Sequence, residues 1–417
     1  NQIMSTAYLY ALTGEVRYAE KLADFFRRFS NPLTGYPARK RGCSQSYVQE
    51  GHFFKHLAIA YDIICDSGLL NQAEREAVEG CFRLYMEMLD AHILDGRISN
   101  WILSELQGAL FCALTLQDMD RALRFAFGSG GIFEQFRYGI FNDGWWHECS
   151  VGYNTWVSSI MLHTAHALLP FGYNLVHTCF PIPFNKEVSS TYRGEAPKVD
   201  FGMYNQKWGG NRKPAVCIKD MFDATLPFLD YRGVLFGIAD SDEKRLSGAH
   251  FGSTYDLAYR YYRDSRYLAV IAMNEADAIF GEPEVHALAL AEEGHAEARS
   301  GESHAGICPG ESLTGACPSE SYAEANPTEK PSTGGETVEK VPGGKERPPM
   351  GNACADNIGL ALLRSQKPGR AQREQIQAVL RYGSHGNAHG HFDITDLLSV
   401  MRYGRSFFNP ENCWWGY

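Results

Sequence analysis

The sequence predicts an α+β multidomain protein, with a long helical region first and the opening strands of an antiparallel sheet last. Three observations carry that reading. Apolar residues recur at helical spacing in block after block of residues 1–284. Residues 285–352 are rich in Gly, Glu, Ser, Pro and Thr and nearly devoid of large apolar side chains. Residues 353–417 contain short β-prone runs bounded by Gly, Ser and Asn. Helices followed by strands, segregated along the chain, imply α+β architecture or separate domains.

The helical elements justify themselves one by one. In "NQAEREAVEGCFRLYMEMLDAH", residues 71–92, Asn71 stands where a helix cap belongs and Glu74 three positions on completes a capping box. Val78, Cys81, Phe82, Tyr85 and Met88 then fall on one face. "EGHFFKHLAIAYDIICDSGLL", "NWILSELQGALFCALTL" and "NTWVSSIMLHTAHALL" repeat the pattern with short polar turns between. Antiparallel helices on short links predict a bundle, solenoid or toroid. No strict sequence repeat is present. "YRYYRDSRY" interleaves aromatic and basic residues at helical spacing, which reads as a helix surface.

Residues 285–352 cannot bury enough surface to offset their ordering entropy, so they read as a linker or insertion. His295 and His304 lie there near Cys308 and Cys317. A solvated segment is the better reading of them than a metal site. After it, "NIGLALLRS", "REQIQAVLRYGS" and "FDITDLLSVMRYGRSFF" predict strands. The opening residues already read as a helix and the sequence stops soon after these strands, so a fragment truncated at both ends is expected.

Bulk properties narrow the function. A net charge of −10 supplies no global basic field, which argues against nucleic acid as the main partner. Arg39, Lys40 and Arg41 form only a local basic patch. Aromatic content of 13% suits bulky helices or a cleft that stacks on flat sugar rings. No apolar run is long enough for a membrane span. The eleven cysteines are odd in number and lack a CxxC pair, so they read as free thiols rather than a disulfide framework. Neither a GxGxxG nor a Walker loop occurs, so no nucleotide or redox cofactor is expected.

Three stretches could carry chemistry. "HGNAHGHFD" packs His385, His389 and His391 among small residues before a strand. On an extended segment His389 and His391 share a side, so one could move protons while its neighbour binds a metal or orients it. "FNDGWWHECSVGYNTW" offers Asp143, Trp146, His147, Glu148 and Tyr153. Tyr153, at a helix start, is either a proton-transfer group or a core residue under Trp145 or Trp146. In "GRISNWILSELQGAL", Asn100 stands at a helix cap position with Arg97 before it and Glu105 inside the helix, and an Asn amide can also grip a carboxylate. "NQKWGGNRK" adds Trp208 and Arg212 on a Gly-rich loop, with the aromatic as a sugar platform or the loop as a plain turn.

Together, "NW", "DGWWHECSVGY", "GLALLRS", "HGHFD" and "YGRSFFNP", in that order, resemble the heparinase II/III-like polysaccharide lyases, the oligoalginate and heparan sulfate lyases among them. The resemblance covers most of the chain outside 285–352. It implies an N-terminal (α/α) toroid over residues 1–284 and the beginning of an antiparallel β-sandwich over 353–417, with the active site between them. It further implies Tyr153, His389 and Asn100 as catalytic residues. Arg97, Glu105, Trp146, Trp208, Arg212 and His385 fall on the substrate side, and His391 at a metal position. No cofactor is required. A structural zinc or other divalent ion is implied only for some relatives, and Asn409 stands here where they have an acidic ligand. Trp101 stands where several relatives carry a histidine base.

The implied reaction is β-elimination in a 4-linked uronate glycan, of heparan sulfate, heparin-like or alginate type. The C5 proton is weakly acidic because its removal adds charge beside a carboxylate, so the reaction needs a neutralising group and a nearby base. Tyr153 would protonate the departing oxygen, and either it or His389 would be the base. The expected partner is an acidic polysaccharide or oligosaccharide, and the family resemblance implies a periplasmic or secreted location, with a cytoplasmic one left open. Two alternatives stand beside this one. A toroidal glycoside hydrolase would use Asp143 and Glu148 as its carboxylate pair. An inactive relative would bind carbohydrate without turnover.

Overall fold

A computed structural model describes residues 2–36, 47–90, 98–182, 187–188, 199–200, 213–230, 234–241, 244–246, 254–275, 351–365, 374–383, 389, 396–403 and 405–408. The chain divides into two compact units, residues 1–139 with 186–200, and residues 140–185 with 201–417. Arg39, Lys40, Arg41, Arg97, Trp208, Arg212, His295, His304, Cys308, Cys317, His385, His391 and Asn409 lie outside the described residues.

The first unit is helical. Its elements are α1 (Gln2–Thr13), α2 (Val16–Phe29), α3 (Tyr47–Ile64), α4 (Gln72–Asp90), α5 (Asn100–Thr115), α6 (Met119–Phe127) and α7 (Ile132–Gly139). The predicted capping box of α4 forms in both directions. The Glu74 N–H donates to Asn71 Oδ1 at 3.0 Å, and the Asn71 N–H donates to Glu74 Oε2 at 2.9 Å. Two of the four orphan donors at that helix start are thereby satisfied. Val78, Cys81, Phe82 and Tyr85 are buried as their spacing predicts, joined by Met86 and Leu89, whereas Met88 is only half-buried.

Helices α3 and α5 pack directly on one another, and glycine makes that approach close. A Cβ on Gly108 would lie 2.4 Å from the Gly51 carbonyl oxygen, and a Cβ on Gly51 would lie 2.3 Å from that of Ser104. Any side chain there would push the helices apart. Around the crossing, Tyr85 of α4 stacks on Phe54 of α3 at 4.0 Å and donates its hydroxyl to the Glu105 carbonyl at 3.0 Å. The phenol is thus buried with its polar end satisfied.

The second unit begins with the turn 140–150 and α8 (Val151–Leu168). Strand β1 (Cys179–Pro181) pairs antiparallel with β4 (Ala215–Cys217), which runs into α9 (Ile218–Thr225), and α9 packs against α8; two short ribbons also form, β2 (Glu187–Val188) with β3 (Val199–Asp200) in the first unit and β5 (Val234–Leu235) with β6 (Lys244–Arg245) in the second. Helices α10 (Tyr255–Tyr262) and α11 (Ser265–Glu275) pack together, and "YRYYRDSRY", expected on one helix surface, is broken at Arg263 (φ 50°) and spans both. Tyr255 and Tyr267 are nonetheless buried, and Tyr267 donates to Asp223 at 2.6 Å. Gly144, in the left-handed region at φ +87°, lies against the start of α9: a Cβ there would be 2.2 Å from the Asp220 carbonyl oxygen.

The strands predicted beyond 353 form one five-stranded antiparallel sheet. It comprises β7 (Ala353–Ala355), β8 (Leu360–Arg364), β9 (Gln377–Arg381), β10 (Asp396–Arg402) and β11 (Arg405–Phe408), each paired with its neighbours in sequence order. One face carries Leu360, Leu362 and Val379 into the core, while Leu363, Ile376, Leu397 and Phe407 are exposed. Two arginines are buried with the apolar residues. Arg364 donates to the carbonyls of Pro227, Leu229 and Gly351, and Arg381 to that of Ile358. Backbone oxygens accept from both guanidiniums, and the Arg364 bonds tie the sheet to residues 227–229. The seven described cysteines are free; Cys81, Cys112 and Cys149 are buried. No helix among the described residues is long and apolar enough to cross a membrane.

Candidate active site

The second unit gathers the site around the first turn of α8. Tyr153 is 7% exposed, and its ring stacks on that of His389, centroids 3.7 Å apart and planes 25° from parallel. Tyr153 is buried among core residues, but its ring meets neither Trp145 nor Trp146. Trp145 packs edge-on against Phe228, and Trp156 is the tryptophan near Tyr153, at 6.2 Å.

His389 is held by a residue that sequence reasoning did not single out. Its Nδ1 lies 3.1 Å from Asp240 Oδ2, and its backbone carbonyl accepts from the Asp240 N–H at 3.1 Å. A carboxylate on Nδ1 favours the tautomer with the proton there, which leaves Nε2 with its lone pair. The second carboxylate oxygen, Asp240 Oδ1, is buried without a hydrogen-bond partner.

The same segment completes the start of α8. Ser150 occupies the cap position but makes no side-chain capping bond there. Instead the Gly152 N–H donates to Ser241 Oγ at 3.0 Å, and Ser150 Oγ donates to the Asp240 carbonyl at 3.4 Å. An acidic side chain at a helix N-terminus is also favoured by the helix dipole. Backbone strain brackets this junction. Cys149 at φ 56° and Ala239 at φ 52° both sit in the left-handed region without being glycine, a cost of about 1–2 kcal/mol each. Such strain persists where surrounding structure over-determines it.

Electrostatics fix the protonation of the phenol. Burial raises the Tyr153 hydroxyl well above the ordinary phenol range, and the nearby Asp240 and Glu148 raise it further. Tyr153 is therefore neutral at rest and keeps its proton until a basic group meets it.

The remaining candidates fare differently. Trp146 is fully buried, with its indole N–H donating to Glu148 Oε2 at 2.9 Å and its backbone N–H to Asn154 Oδ1 at 2.8 Å. It has no free face for a sugar, which corrects its placement on the substrate side. Asn100 is not the cap expected of it: Ser99 caps α5, accepting from the Trp101 N–H at 3.0 Å, and Asn100 is the first helical residue, fully buried. Glu105 is buried on the same helix. Both belong to the first unit. His389 lies ahead of β10, which begins at Asp396.

The carboxylate pair of the hydrolase alternative is engaged locally. Glu148 is 1% exposed and holds the Trp146 indole. Burial pushes the Asp143 carboxyl up to about 6, opposed by hydrogen bonds from the Asn357 side chain and the Trp145 N–H. Among the described residues, no three His, Cys, Asp or Glu side chains gather as metal ligands do.

No known family model matches this sequence, and no curated protein does. Solved structures do. A heparinase III gene product superposes with a TM-score of 0.50 at 10% identity, over 97% of this chain and 49% of its own. Heparan sulfate lyase HepC from Pedobacter heparinus gives 0.49 at 13% identity, over 97% and 47%. An alginate lyase from Bacteroides ovatus gives 0.40 at 13% identity, over 64% and 67%. The chain spans about half the length of the heparinase III and HepC structures. The heparinase III match shows a shared fold, a mostly helical chain with antiparallel strands.

Proposed function

We propose that the protein is a polysaccharide lyase that cleaves 4-linked uronate glycans by β-elimination. The single observation that carries the reading is the stack of Tyr153 on His389 with Asp240 at His389 Nδ1. An acid and a base side by side suit a reaction that removes a proton from C5 and delivers one to the departing O4. The fold shared with heparinase III agrees with it.

In this proposal His389 is the base. Asp240 holds the imidazole with Nε2 free, and as the ring takes the C5 proton the carboxylate balances the imidazolium. Tyr153 is the acid. An ionised phenolate would stand beside Asp240 and Glu148 with its charge poorly solvated, so the neutral phenol is the working form. Proton donation to O4 as the bond breaks keeps the leaving group from departing as an alkoxide. A toroid for the helical region and a sandwich containing the five-stranded sheet complete the proposal.

The test is to incubate the protein with heparan sulfate, heparin, alginate and other uronate polymers and follow ultraviolet absorbance. A lyase leaves a conjugated C4–C5 double bond, and growing absorbance on one polymer is the expected result. New reducing ends without absorbance would establish a hydrolase instead. Saturable binding with no product of either kind would establish a binding protein.

A further inference from the structure

Two thiols in the second unit face one another where no role has been assigned. In the β1–β4 ribbon, Cys179 is the direct cross-strand partner of Cys217, and both are half-buried. The ribbon's hydrogen bonds fix the kind of pair. One step beyond the ribbon, the Ile182 N–H donates to the Pro214 carbonyl at 3.0 Å. Antiparallel ladders alternate hydrogen-bonded and non-hydrogen-bonded pairs, so Pro181 with Ala215 is non-bonded, Phe180 with Val216 bonded, and Cys179 with Cys217 non-bonded. The backbone agrees: the Cys217 N–H points out of the ladder and donates to Asp220 Oδ2 at 2.9 Å. Non-bonded pairs are the narrow ones, with Cα atoms about 4.5 Å apart. That lies within the roughly 4.4–6.8 Å that a disulfide spans.

We propose that Cys179 and Cys217 form a thiol–disulfide exchange site that a low-molecular-weight disulfide oxidises, locking β1 to β4. Cys179 attacks first. Its thiolate bonds to one sulfur of the small disulfide, the S–S bond breaks, and one small thiol leaves. Cys217 then closes the ring: its thiolate attacks Cys179 Sγ and expels the second small thiol. The two electrons lost by the protein dithiol reduce the small disulfide. The Cys217 proton has a local acceptor in Asp220, whose Oδ2 receives the S–H at 3.5 Å while Lys213 holds Oδ1 at 2.7 Å. Burial and the neighbouring Asp220 push the Cys217 thiol up to about 12. That is why Cys179 is the entry point and ring closure the slow step.

The test is to expose the folded protein to oxidised glutathione, quench with acid, alkylate under denaturing conditions and map the cysteines by mass spectrometry without reduction. The expected product is a peptide pair joined through Cys179 and Cys217. Alkylation of the other described cysteines and a higher thermal midpoint, reversed by dithiothreitol, should accompany it. In the C179S variant no intramolecular link to Cys217 forms. Three results would overturn the proposal: both thiols still alkylated, a glutathione adduct that never closes, or the same cross-linked yield through other cysteines. The wild-type mapping alone decides, so the proposal stays testable if C179S folds poorly. The readout needs no polysaccharide and is independent of the lyase reading.

Discussion

Helices α5 and α8 read alike in sequence and differ in what their first turns meet. Both are apolar nearly all round, and both bury most of their length. Helix α5 caps itself through Ser99 and crosses α3 at a pair of glycines. Helix α8 does not cap itself. Ser241 satisfies its start from a distant part of the chain and brings Asp240 and His389 with it. A start whose side-chain cap comes from the residue just before it stabilises its own helix. One completed from elsewhere brings together side chains that the sequence keeps far apart, and a phenol, an imidazole and a carboxylate meet there.

The largest effect should come from Tyr153→Phe. The ring stack survives and the proton does not, so turnover should fall by about 10²–10⁴-fold, the usual worth of general acid–base catalysis. The thermal midpoint should stay near that of the parent. Retained turnover, read by absorbance on a substrate the parent cleaves, would remove the phenol from the chemistry. Asp240→Asn comes next. The amide keeps the shape but loses the charge that orients the imidazole, and a loss on the order of 10²-fold is expected, as for other misplacements of a reacting group. The pH dependence of kcat should change in this variant, which a merely structural role would not produce.

Gly108→Ala tests the other half of the comparison. It should cost stability, about 1–3 kcal/mol as for other overpacked sites, measured by urea unfolding. Turnover per folded molecule should hold where the α8 start alone carries the chemistry, and a loss beyond the unfolded fraction would bring α5, with Asn100, into it. A pH-dependent effect belongs to Asp143, whose carboxyl is pushed up to about 6 against an ordinary 3.8. Its raised value means the folded state keeps a proton that the unfolded state releases. That contribution is whole below about 3.8, declines as pH rises through about 6, and is absent above. Parent stability relative to Asp143→Asn should therefore fall between pH 4 and 7, as thermal melts at a series of pH values would show. A flat difference across that range would place the carboxyl at its ordinary value.

Much of the local structure was legible. The α4 capping box, the helices on either side of it and four of the five sheet strands stand where spacing puts them, because periodicity and caps act within a few residues. Tyr153 and His389 were legible as candidates, since a phenol at a helix start and histidines among glycines are unusual settings. Asp240 was not. In "GIADSDEK" it is one polar residue in a turn, and nothing in its neighbours announces a histidine 149 positions away. Trp146 was misread because an aromatic next to polar residues suggests a surface, whereas its indole N–H is satisfied internally by Glu148. Asn100 was misread by one position, because Ser99 and Asn100 are equally good caps and only the backbone turn decides between them.

The sequence by itself determined the order of helices and strands, the apolar faces and most of the ends, because those follow from the preferences of near neighbours. Tertiary structure decided that Tyr153 lies on His389, that Asp240 holds the imidazole, and that Cys179 faces Cys217. Each of these contacts joins segments far apart along the chain. Their closeness comes from the burial of many other residues at once, and no local pattern encodes it.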